Sequence, residues 1–531
     1  MADALPVWSV FQVDRAETTP MQEQIAGFFR RAIADGRLGP GARLPSTRSL
    51  AEQMTVARNT VSLAYERLAA EGYVEGRRGG GTRVARDLPD LTPTVPAATR
   101  AAPVAPPPVR LAAAARIMLA ERVGTAGAGA GAIPEPLQPG RPGLDAFPGR
   151  IWARLAGRFW RETPATDFGY GDPAGHPMLR QALARYLGAF RGLSLDPDAI
   201  IVTSGAQQAI DLVARALLDP GDPVVLEEPC YPGLRGPMAA TGAKLVPVPV
   251  DGEGLDVAAA RRRAPNARLV TVTPTHHFPL GVTLSLGRRR ALVDWAGGSA
   301  GGGSAAGDGG PWVLEDDYDG EFRYGGKPVP PLKALDGAGR VLYVGTVSKA
   351  LAPALRIGFV AAPGPLAEPL VRLRGHFDRQ PALDAQVILA RFLDDGHMAG
   401  HLRRMRTLYR DRRDALADAL EGALGARARV ERPETGINLT VDLEAGPSDV
   451  AVVGAARARG VSPAPLSGFY RGTARRNGLL IGFASLPRAR ASWAARMVRE
   501  AIDAALRGPS LTRRAPQDEE RMVVSRDGSS S

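Results

Sequence analysis

Cysteine and lysine are both rare in this sequence of 531 residues. Cys230 is the single cysteine, which excludes an internal disulfide and is typical of a protein from a reducing cytoplasm. Of the 67 basic residues, only four are lysines: Lys244, Lys327, Lys333 and Lys349. We expect a chain so poor in lysine to keep one where arginine cannot replace it, as where a primary amine must react with an aldehyde.

Long apolar runs are also missing from the sequence. No stretch of ~18 uninterrupted apolar residues is present, so no transmembrane helix is predicted. Residues 1–15 do not combine a basic start with an apolar stretch, so we predict no signal peptide and a cytoplasmic location. The net charge of +12 is compatible with a nucleic-acid partner, but charge alone is a weak indication of one.

The length indicates two or three domains, and three stretches of unusual composition divide the chain. The first is rich in Pro, Ala and Gly and is predicted to be a linker, interrupted by a helix near residues 111–123. Residues 297–310 are almost all Gly, Ala and Ser, which predicts a surface-loop insertion. The polar tail is predicted to be disordered. The predicted division is a small domain at 1–86, the linker at 87–135, a large domain at 136–507 and the tail at 508–531.

The small domain is predicted to contain three helices and a two-stranded wing. Met21–Asp35 has an apolar stripe at helical spacing, and Ser46 is a plausible N-terminal cap for a second helix at Thr47–Met54. After a tight turn, residues 57–70 form a helix whose N-terminal end is polar and exposed. Two helices in this arrangement are typical of a helix-turn-helix, and the glycine-rich hairpin at 72–84 is typical of a wing.

Three blocks keep their order and spacing between Thr19 and Val84: Leu44-Pro45-Ser46-Thr47-Arg48, Arg58-Asn59-Thr60-Val61, and Glu71-Gly72-Tyr73 followed by Gly79-Gly80-Gly81-Thr82. This pattern resembles the winged helix of GntR-type transcription regulators, which bind double-stranded DNA operators. The resemblance implies DNA contacts by Arg48, Arg58, Asn59, Thr60, Arg78 and Gly79. The alternative is a small helical domain whose arginines are only solvated.

The large domain alternates short apolar runs with helical patterns, as expected of a mostly parallel, doubly wound α/β sheet. The predicted strands are Ile200–Val202, Pro223–Leu226, Leu269–Val272, Val313–Leu314 and Val341–Val344. Long helices follow from about Pro363, and a smaller α+β segment is predicted for residues 430–506.

Lys349 lies just after one of these strands, where an α/β fold builds its cofactor sites. Its alternative is a solvated surface lysine. Asp316 follows another strand and has the charge needed to pair with a protonated pyridine nitrogen. Tyr318 is two residues further on, faces the same way and can reach a ring oxygen. Tyr231, also after a strand, is a candidate stacking ring. These groups are the ones that a pyridoxal phosphate site requires.

A phosphate cradle is predicted at a strand-to-helix turn, because backbone N–H groups at a helix N-terminus bind anions. Other hydroxyls and a fixed positive charge come from residues near Lys349. The predicted phosphate ligands are Ser204, Gly205, Ala206, Gln207, Thr346, Ser348 and Arg356. Taken singly, each of these residues has an ordinary structural alternative, but their order along the chain favours a single site.

These blocks, together with Tyr170-Gly171-Asp172-Pro173-Ala174-Gly175, resemble fold-type I aminotransferases over roughly residues 137–506. A GntR-type winged helix, a linker and such a domain together resemble the MocR-type regulators. The resemblance implies a head-to-tail, domain-swapped homodimer in which pyridoxal phosphate, alone or with an amine or amino acid, is the signal.

Two positions depart from the pattern of catalytic aminotransferases. Phe278 stands where an asparagine normally reaches the cofactor's ring oxygen. The arginine that binds a substrate carboxylate is also missing: Gly478 is the best-aligned position, with Arg475 and Arg476 out of register on a predicted loop. His276-His277 precede the turn, and both a pocket role and a structural role remain open.

Three hypotheses follow from these features. The first is a transcription regulator that senses pyridoxal phosphate. The second is a working aminotransferase with a DNA-binding appendage, which the two departures disfavour. The third is a scaffold that binds DNA whether or not the cofactor is present.

Overall fold

The structure is a computed structural model, which describes residues 8, 11–77, 81–88, 110–121, 135–298, 309–326, 329–443 and 446–507. The chain divides into two compact units, Met1–Val109 and Arg110–Ser531. The predicted tail, most of the glycine-rich insertion, and the wing residues Arg78 and Gly79 lie outside the described residues.

The first unit has the predicted helices and hairpin. Its elements are α1 (Met21–Ala34), α2 (Thr47–Met54), α3 (Arg58–Ala70), β1 (Val74–Arg77) and β2 (Gly81–Val84). The Ser46 hydroxyl accepts a hydrogen bond from the backbone N–H of Ser49 at 3.1 Å, so the predicted cap of α2 is present. The two strands pair antiparallel, with Arg77 opposite Gly81.

The core of the first unit forms between α1 and α3. Phe29 is fully buried and contacts Tyr65 edge-to-face, with ring centroids 5.7 Å apart. The Tyr65 hydroxyl donates a hydrogen bond to the carbonyl of Pro45 at 3.0 Å. This bond ties the segment before α2 to α3 and so sets the geometry of the helix-turn-helix.

The second unit is built on an eight-stranded sheet in the order β3-β10-β9-β8-β7-β4-β5-β6. Its strands are β3 (Ile200–Thr203), β4 (Pro223–Glu228), β5 (Lys244–Asp251), β6 (Gly254–Leu255), β7 (Leu269–Val272), β8 (Trp312–Asp317), β9 (Val341–Thr346) and β10 (Gly358–Ala361). In the stretch β9-β8-β7-β4-β5, each strand is parallel to its neighbours. Strand β10 is antiparallel to both β3 and β9, and β6 is antiparallel to β5. The predicted doubly wound α/β fold is therefore confirmed, with antiparallel strands that the sequence did not reveal.

Helices cover both faces of this sheet. They are α5 (Gly149–Glu162), α6 (Pro177–Arg191), α7 (Ala206–Leu217), α8 (Pro232–Ala240), α9 (Val257–Arg263), α10 (Leu286–Ala296), α11 (Leu332–Leu335) and α12 (Gly364–Asp378). A further helix, α4 (Ala113–Ala120), contacts α8 and has no buried residue. Val341 and Leu342 are adjacent in β9 and lie in different apolar clusters. This alternation is expected for a strand that is buried on both faces.

Two further helices, α13 (Leu383–Asp394) and α14 (His397–Leu424), follow α12, where long helices were predicted. The smaller α+β segment predicted for residues 430–506 then contains β11 (Arg429–Glu431), β12 (Asn438–Asp442), α15 (Asp449–Arg457), β13 (Ala464–Pro465), β14 (Gly478–Gly482) and α16 (Ala491–Leu506). Its strands form an antiparallel sheet in the order β11-β12-β14-β13. Among the described residues, no helix has the length and apolar character needed to cross a membrane.

Candidate functional site

A cavity of about 350 Å³ opens where β8 and β9 end and α7 begins. Nine of the predicted cofactor residues line it: Ala206, Gln207, Tyr231, Asp316, Tyr318, Thr346, Ser348, Lys349 and Arg356. The two others, Ser204 and Gly205, border it through Arg356, which donates a hydrogen bond to the carbonyl of Ser204 at 2.6 Å. The fold thus brings together residues that are up to 152 positions apart.

Lys349 lines this cavity, and its amine donates a hydrogen bond to the carbonyl of Gly140 at 2.8 Å. Burial lowers the pKa of Lys349, and the nearby carboxylates of Asp319 and Asp316 partly oppose this effect. A lowered pKa increases the share of neutral amine, which is the form that attacks an aldehyde.

Asp316 is 5% exposed, and its Oδ1 atom has no hydrogen-bond partner among the described residues. Burial, together with the charges of Asp317 and Asp319, raises the pKa of Asp316 to about 7, although Lys349 opposes the shift. An unpaired buried carboxyl oxygen is costly unless a ligand completes its hydrogen bonding. A protonated pyridine nitrogen has the donor and the charge that this oxygen lacks, so Asp316 fits the ring of pyridoxal phosphate.

Tyr318 belongs to a buried polar network. Its hydroxyl lies 2.9 Å from His276 Nδ1, which is also 2.9 Å from an Asp319 carboxylate oxygen. Burial raises the pKa of Tyr318 well above its ordinary value. The network fixes the position of the Tyr318 hydroxyl in the cavity. His276 therefore contacts a residue that lines the cavity.

His277 has a structural position instead. Its Nε2 lies 3.1 Å from the carbonyl of Pro229, and its Nδ1 accepts a hydrogen bond from the N–H of Leu280. Burial lowers the pKa of His277 to about 3, so the ring is neutral. These contacts shape the turn that carries Phe278.

The predicted phosphate cradle lies at the N-terminus of α7. Gly205 has a φ of +92°, and a Cβ added there would lie 2.9 Å from Arg356 Nη2. Glycine is needed at this position because it allows both the backbone angle and the close approach of the guanidinium. The Thr346 hydroxyl donates to Ser348 Oγ at 2.9 Å, which places two hydroxyls on the same side. This set of donors suits a phosphate group.

Two aromatic side chains form one wall of the cavity. Tyr231 and Phe278 meet edge-to-face with their ring centroids 5.6 Å apart, and Phe278 makes a similar contact with Tyr318. An asparagine at position 278 would present an amide here, whereas Phe278 presents only a ring. The prediction that Tyr231 stacks on the cofactor ring fits its place in the wall.

The late strand β14 does not present an arginine to this wall. Gly478 has no room for a side chain, since a Cβ added there would lie 2.6 Å from the carbonyl of Val441. Leu480 is the β14 residue that packs with Phe278 in an apolar cluster. Arg476 hydrogen-bonds to Asp442 at 2.6 Å, and neither it nor Arg475 is among the residues that line the cavity.

One segment that lines the cavity was not predicted from the sequence. Gln138, Pro139, Gly140 and Arg141 all line it. Their only sequence signal is Gly140-Arg141-Pro142-Gly143, which comes directly after a linker of similar composition. An arginine among prolines and glycines at the start of a domain was the available clue.

In the first unit, Arg48 and Arg58 lie together along one shallow depression between α2 and α3. The Arg48 side chain is 81% exposed, and Arg58 Nε donates a hydrogen bond to the Thr47 hydroxyl at 3.3 Å. Asn59 is exposed and Thr60 is half-buried at the start of α3. These polar groups are on the end of the helix that a helix-turn-helix presents to base edges.

Two family models match the chain. Residues 160–469 match aminotransferase class I and II, and residues 21–84 match the bacterial regulatory proteins of the gntR family. The two matches fall in the two structural units.

Curated relatives combine both parts. The chain is 37% identical to the probable rhizopine catabolism regulatory protein MocR of Rhizobium meliloti, over 89% of this chain and 92% of the relative. It is 34% identical to the pyridoxine biosynthesis transcriptional regulator PdxR of Corynebacterium glutamicum, over 92% of this chain and 97% of the relative. Among solved structures, the kynurenine aminotransferase of Pyrococcus horikoshii matches with a TM-score of 0.63 and 28% identity, covering 74% of this chain and 95% of that one.

Proposed function

This chain belongs to the MocR-type subfamily of GntR transcription regulators, and on that premise we propose that pyridoxal phosphate bound at Lys349 sets its affinity for operator DNA. Regulators of this family join a DNA-binding winged helix to an aminotransferase-like domain that takes pyridoxal phosphate. The domain boundaries that we propose are 1–86 and 136–507, joined by the linker at 87–135.

In the proposed complex, each part of the cofactor has a residue with matching chemistry. Lys349 holds the aldehyde carbon, the free Asp316 oxygen accepts from the ring nitrogen, and Tyr318 donates to the ring oxygen. Tyr231 stacks on the ring, and the phosphate ligands are Ser204, Gly205, Ala206, Gln207, Thr346, Ser348 and Arg356. When bound, pyridoxal phosphate supplies an aldehyde that exchanges between amines, so the site can report on both the cofactor and an amine effector.

We further propose that the protein acts as a head-to-tail, domain-swapped homodimer. A two-fold dimer places two winged helices on two half-sites of an operator, so a change in the effector domains can alter their spacing. Arg48, Arg58, Asn59, Thr60, Arg78 and Gly79 are the proposed DNA contacts. Cofactor binding shifts operator affinity to the extent that the two states of the dimer bind DNA differently.

The apolar side chain of Phe278 in the cavity is the observation that favours a sensor over an enzyme. Phe278 lines the cavity where catalytic aminotransferases have a hydrogen-bonding side chain, and Leu480 of β14 belongs to the same apolar cluster. A site that turns over amino acids needs donors that strengthen in the transition state. Neither of these two side chains is a donor, which favours ligand retention over transamination.

Replacing Lys349 tests the cofactor site. We expect the wild-type protein to keep the visible absorbance of pyridoxal phosphate after exhaustive dialysis, and Lys349→Ala to lose it. Lys244→Ala is the matched control, because Lys244 is exposed at the start of β5. Equal retention in wild type and Lys349→Ala would contradict the proposal. Keto-acid production at ~1 s⁻¹ or faster with any common amino acid would favour an aminotransferase instead.

A further inference from the structure

We infer that Arg141 binds the carboxylate of an amine effector that enters the Lys349 cavity, which makes it the residue that restricts effectors to amino acids. This inference rests on the proposed function, and it names the chemical class of the second ligand. Arg141 and Lys349 line the same cavity, so one molecule with an amine and a carboxylate can reach both.

The segment that carries Arg141 is held at the cavity by backbone contacts from distant parts of the chain. The carbonyl of Leu137 accepts a hydrogen bond from the N–H of Gly482 at 2.9 Å, and the N–H of Gly140 donates to Asn438 Oδ1 at 2.7 Å. The Gly140 carbonyl also accepts from the Lys349 amine. A segment anchored on both sides of Lys349 presents its next side chain in a defined place, as a binding residue requires.

The close approach of this segment depends on glycine at two positions. A Cβ added to Gly482 would lie 2.2 Å from the carbonyl of Gln138, so no larger residue fits at this end of β14. Gly140 has a φ of +71°, and a Cβ there would lie 3.4 Å from the Lys349 amine. The segment therefore lies over the end of β14 and beside the Schiff-base lysine.

The charges of the cavity leave Arg141 available for a second anion. Its Nε donates to Gln138 Oε1 at 3.0 Å, and among the described residues no carboxylate lies within ion-pairing distance of it. In the proposed complex, Arg356 pairs with the phosphate and Asp316 with the ring nitrogen. Arg141 is then the remaining arginine on the cavity wall, and a guanidinium binds a carboxylate through two parallel hydrogen bonds.

The side of the cavity at Phe278 cannot perform this task. Phe278 lines the cavity with an apolar ring, Leu480 belongs to the same apolar cluster, and Arg476 is engaged by Asp442. A carboxylate placed against that wall would lose its hydration without gaining a partner. Electrostatics therefore orients an amino acid with its carboxylate toward Arg141.

Amine titrations of the full-length protein loaded with pyridoxal phosphate test this assignment. The probes are L-alanine, β-alanine and ethylamine, and the readout is the change in absorbance of the bound cofactor. We expect the wild type to bind at least one of the two amino acids ~10- to 100-fold more tightly than ethylamine, the range expected for hydrogen bonds to a charged group. Arg141→Gln reduces this ratio to about one, whereas cofactor retention and ethylamine binding stay unchanged.

Two further variants sharpen the test. Arg141→Lys keeps the charge but not the planar fork, so it retains part of the preference. Arg475→Gln removes an exposed arginine outside the cavity and leaves the preference intact. If Arg141→Gln keeps the wild-type ratio, or the wild type does not discriminate, the assignment of Arg141 is overturned while the cofactor site stands. A wild type that retains no cofactor overturns the proposed function itself.

Discussion

The two units of this protein differ in whether their charged side chains are exposed or buried. Among the described residues of the first unit, no charged side chain is fully buried, and Arg48 and Arg58 project from an apolar core. In the second unit, ionisable groups line the cavity and extend beneath it. We therefore expect substitutions that remove DNA binding to leave the stability of the first unit unchanged, whereas substitutions in the cavity of the second unit should change ligand binding and stability together.

The buried acids of the second unit show this coupling. Burial raises the pKa of Glu227 to about 8 and the pKa values of Glu315 and Glu321 to about 7. Glu315 accepts hydrogen bonds from the N–H groups of Leu332 and Lys333, so it also joins β8 to α11. These buried acids of the second unit therefore change their charge near neutral pH.

The largest effect is expected from the core of the first unit. Phe29→Ala removes a fully buried ring that packs on Tyr65, and such a truncation costs ~3–5 kcal/mol of unfolding free energy. We expect the full-length variant to lose operator binding in a mobility-shift assay and to keep the absorbance of bound cofactor. Loss of the cofactor as well would show that the two units do not fold independently.

A smaller effect, but one on both function and stability, is expected for Asp316→Asn. Its affinity for pyridoxal phosphate should fall ~10- to 100-fold, because the charged partner of the ring nitrogen is removed. The same change should stabilise the cofactor-free protein at pH 8, as measured by thermal unfolding.

The pH dependence of this gain follows from the raised pKa of Asp316, about 7 against 3.8 for the free side chain. The stability associated with the protonated carboxyl is present below the unfolded-state pKa and is lost as the pH rises through about 7. Asparagine cannot ionise, so its advantage should be large at pH 8 and small at pH 5. An advantage that does not change with pH would contradict the proposed ionisation of Asp316.

The smallest effect on stability is expected for Arg58→Ala. If Arg58 contacts a base, specific operator binding weakens by ~1–3 kcal/mol, while the stability of the unit changes by no more than ~0.5 kcal/mol. Arg37→Ala is the control, since Arg37 is an exposed arginine that pairs with Asp35 away from α3. An equal loss on all DNA sequences would instead identify Arg58 as a phosphate contact.

Local signals in the sequence were sufficient to predict many of the helices and strands. The bounds of α2 follow from the Ser46 cap and the apolar spacing, and β9 follows from a four-residue apolar run before Lys349. The resemblance to known families then predicted that Asp316, Tyr318 and Lys349 belong to one site. All three line the same cavity.

What the sequence did not reveal depends on contacts between distant residues. Arg141 reaches the cavity because Gly140 bonds to Lys349, 209 positions away, and no local pattern encodes that contact. The place of His276 depends in the same way on Asp319, 43 positions later. The antiparallel pairing of β10 with β3, which lies far earlier in the chain, likewise has no local signal in the sequence.

Operator affinity measured with and without pyridoxal phosphate tests the central claim most directly. A DNA fragment selected by the wild-type protein would be titrated with wild type and with Lys349→Ala, at fixed salt concentration because ionic strength alters DNA affinity. The account predicts that the cofactor changes the wild-type dissociation constant by at least ~5-fold, within the usual range of allosteric coupling, and leaves Lys349→Ala unchanged. A wild-type dissociation constant that is the same with and without the cofactor would contradict it.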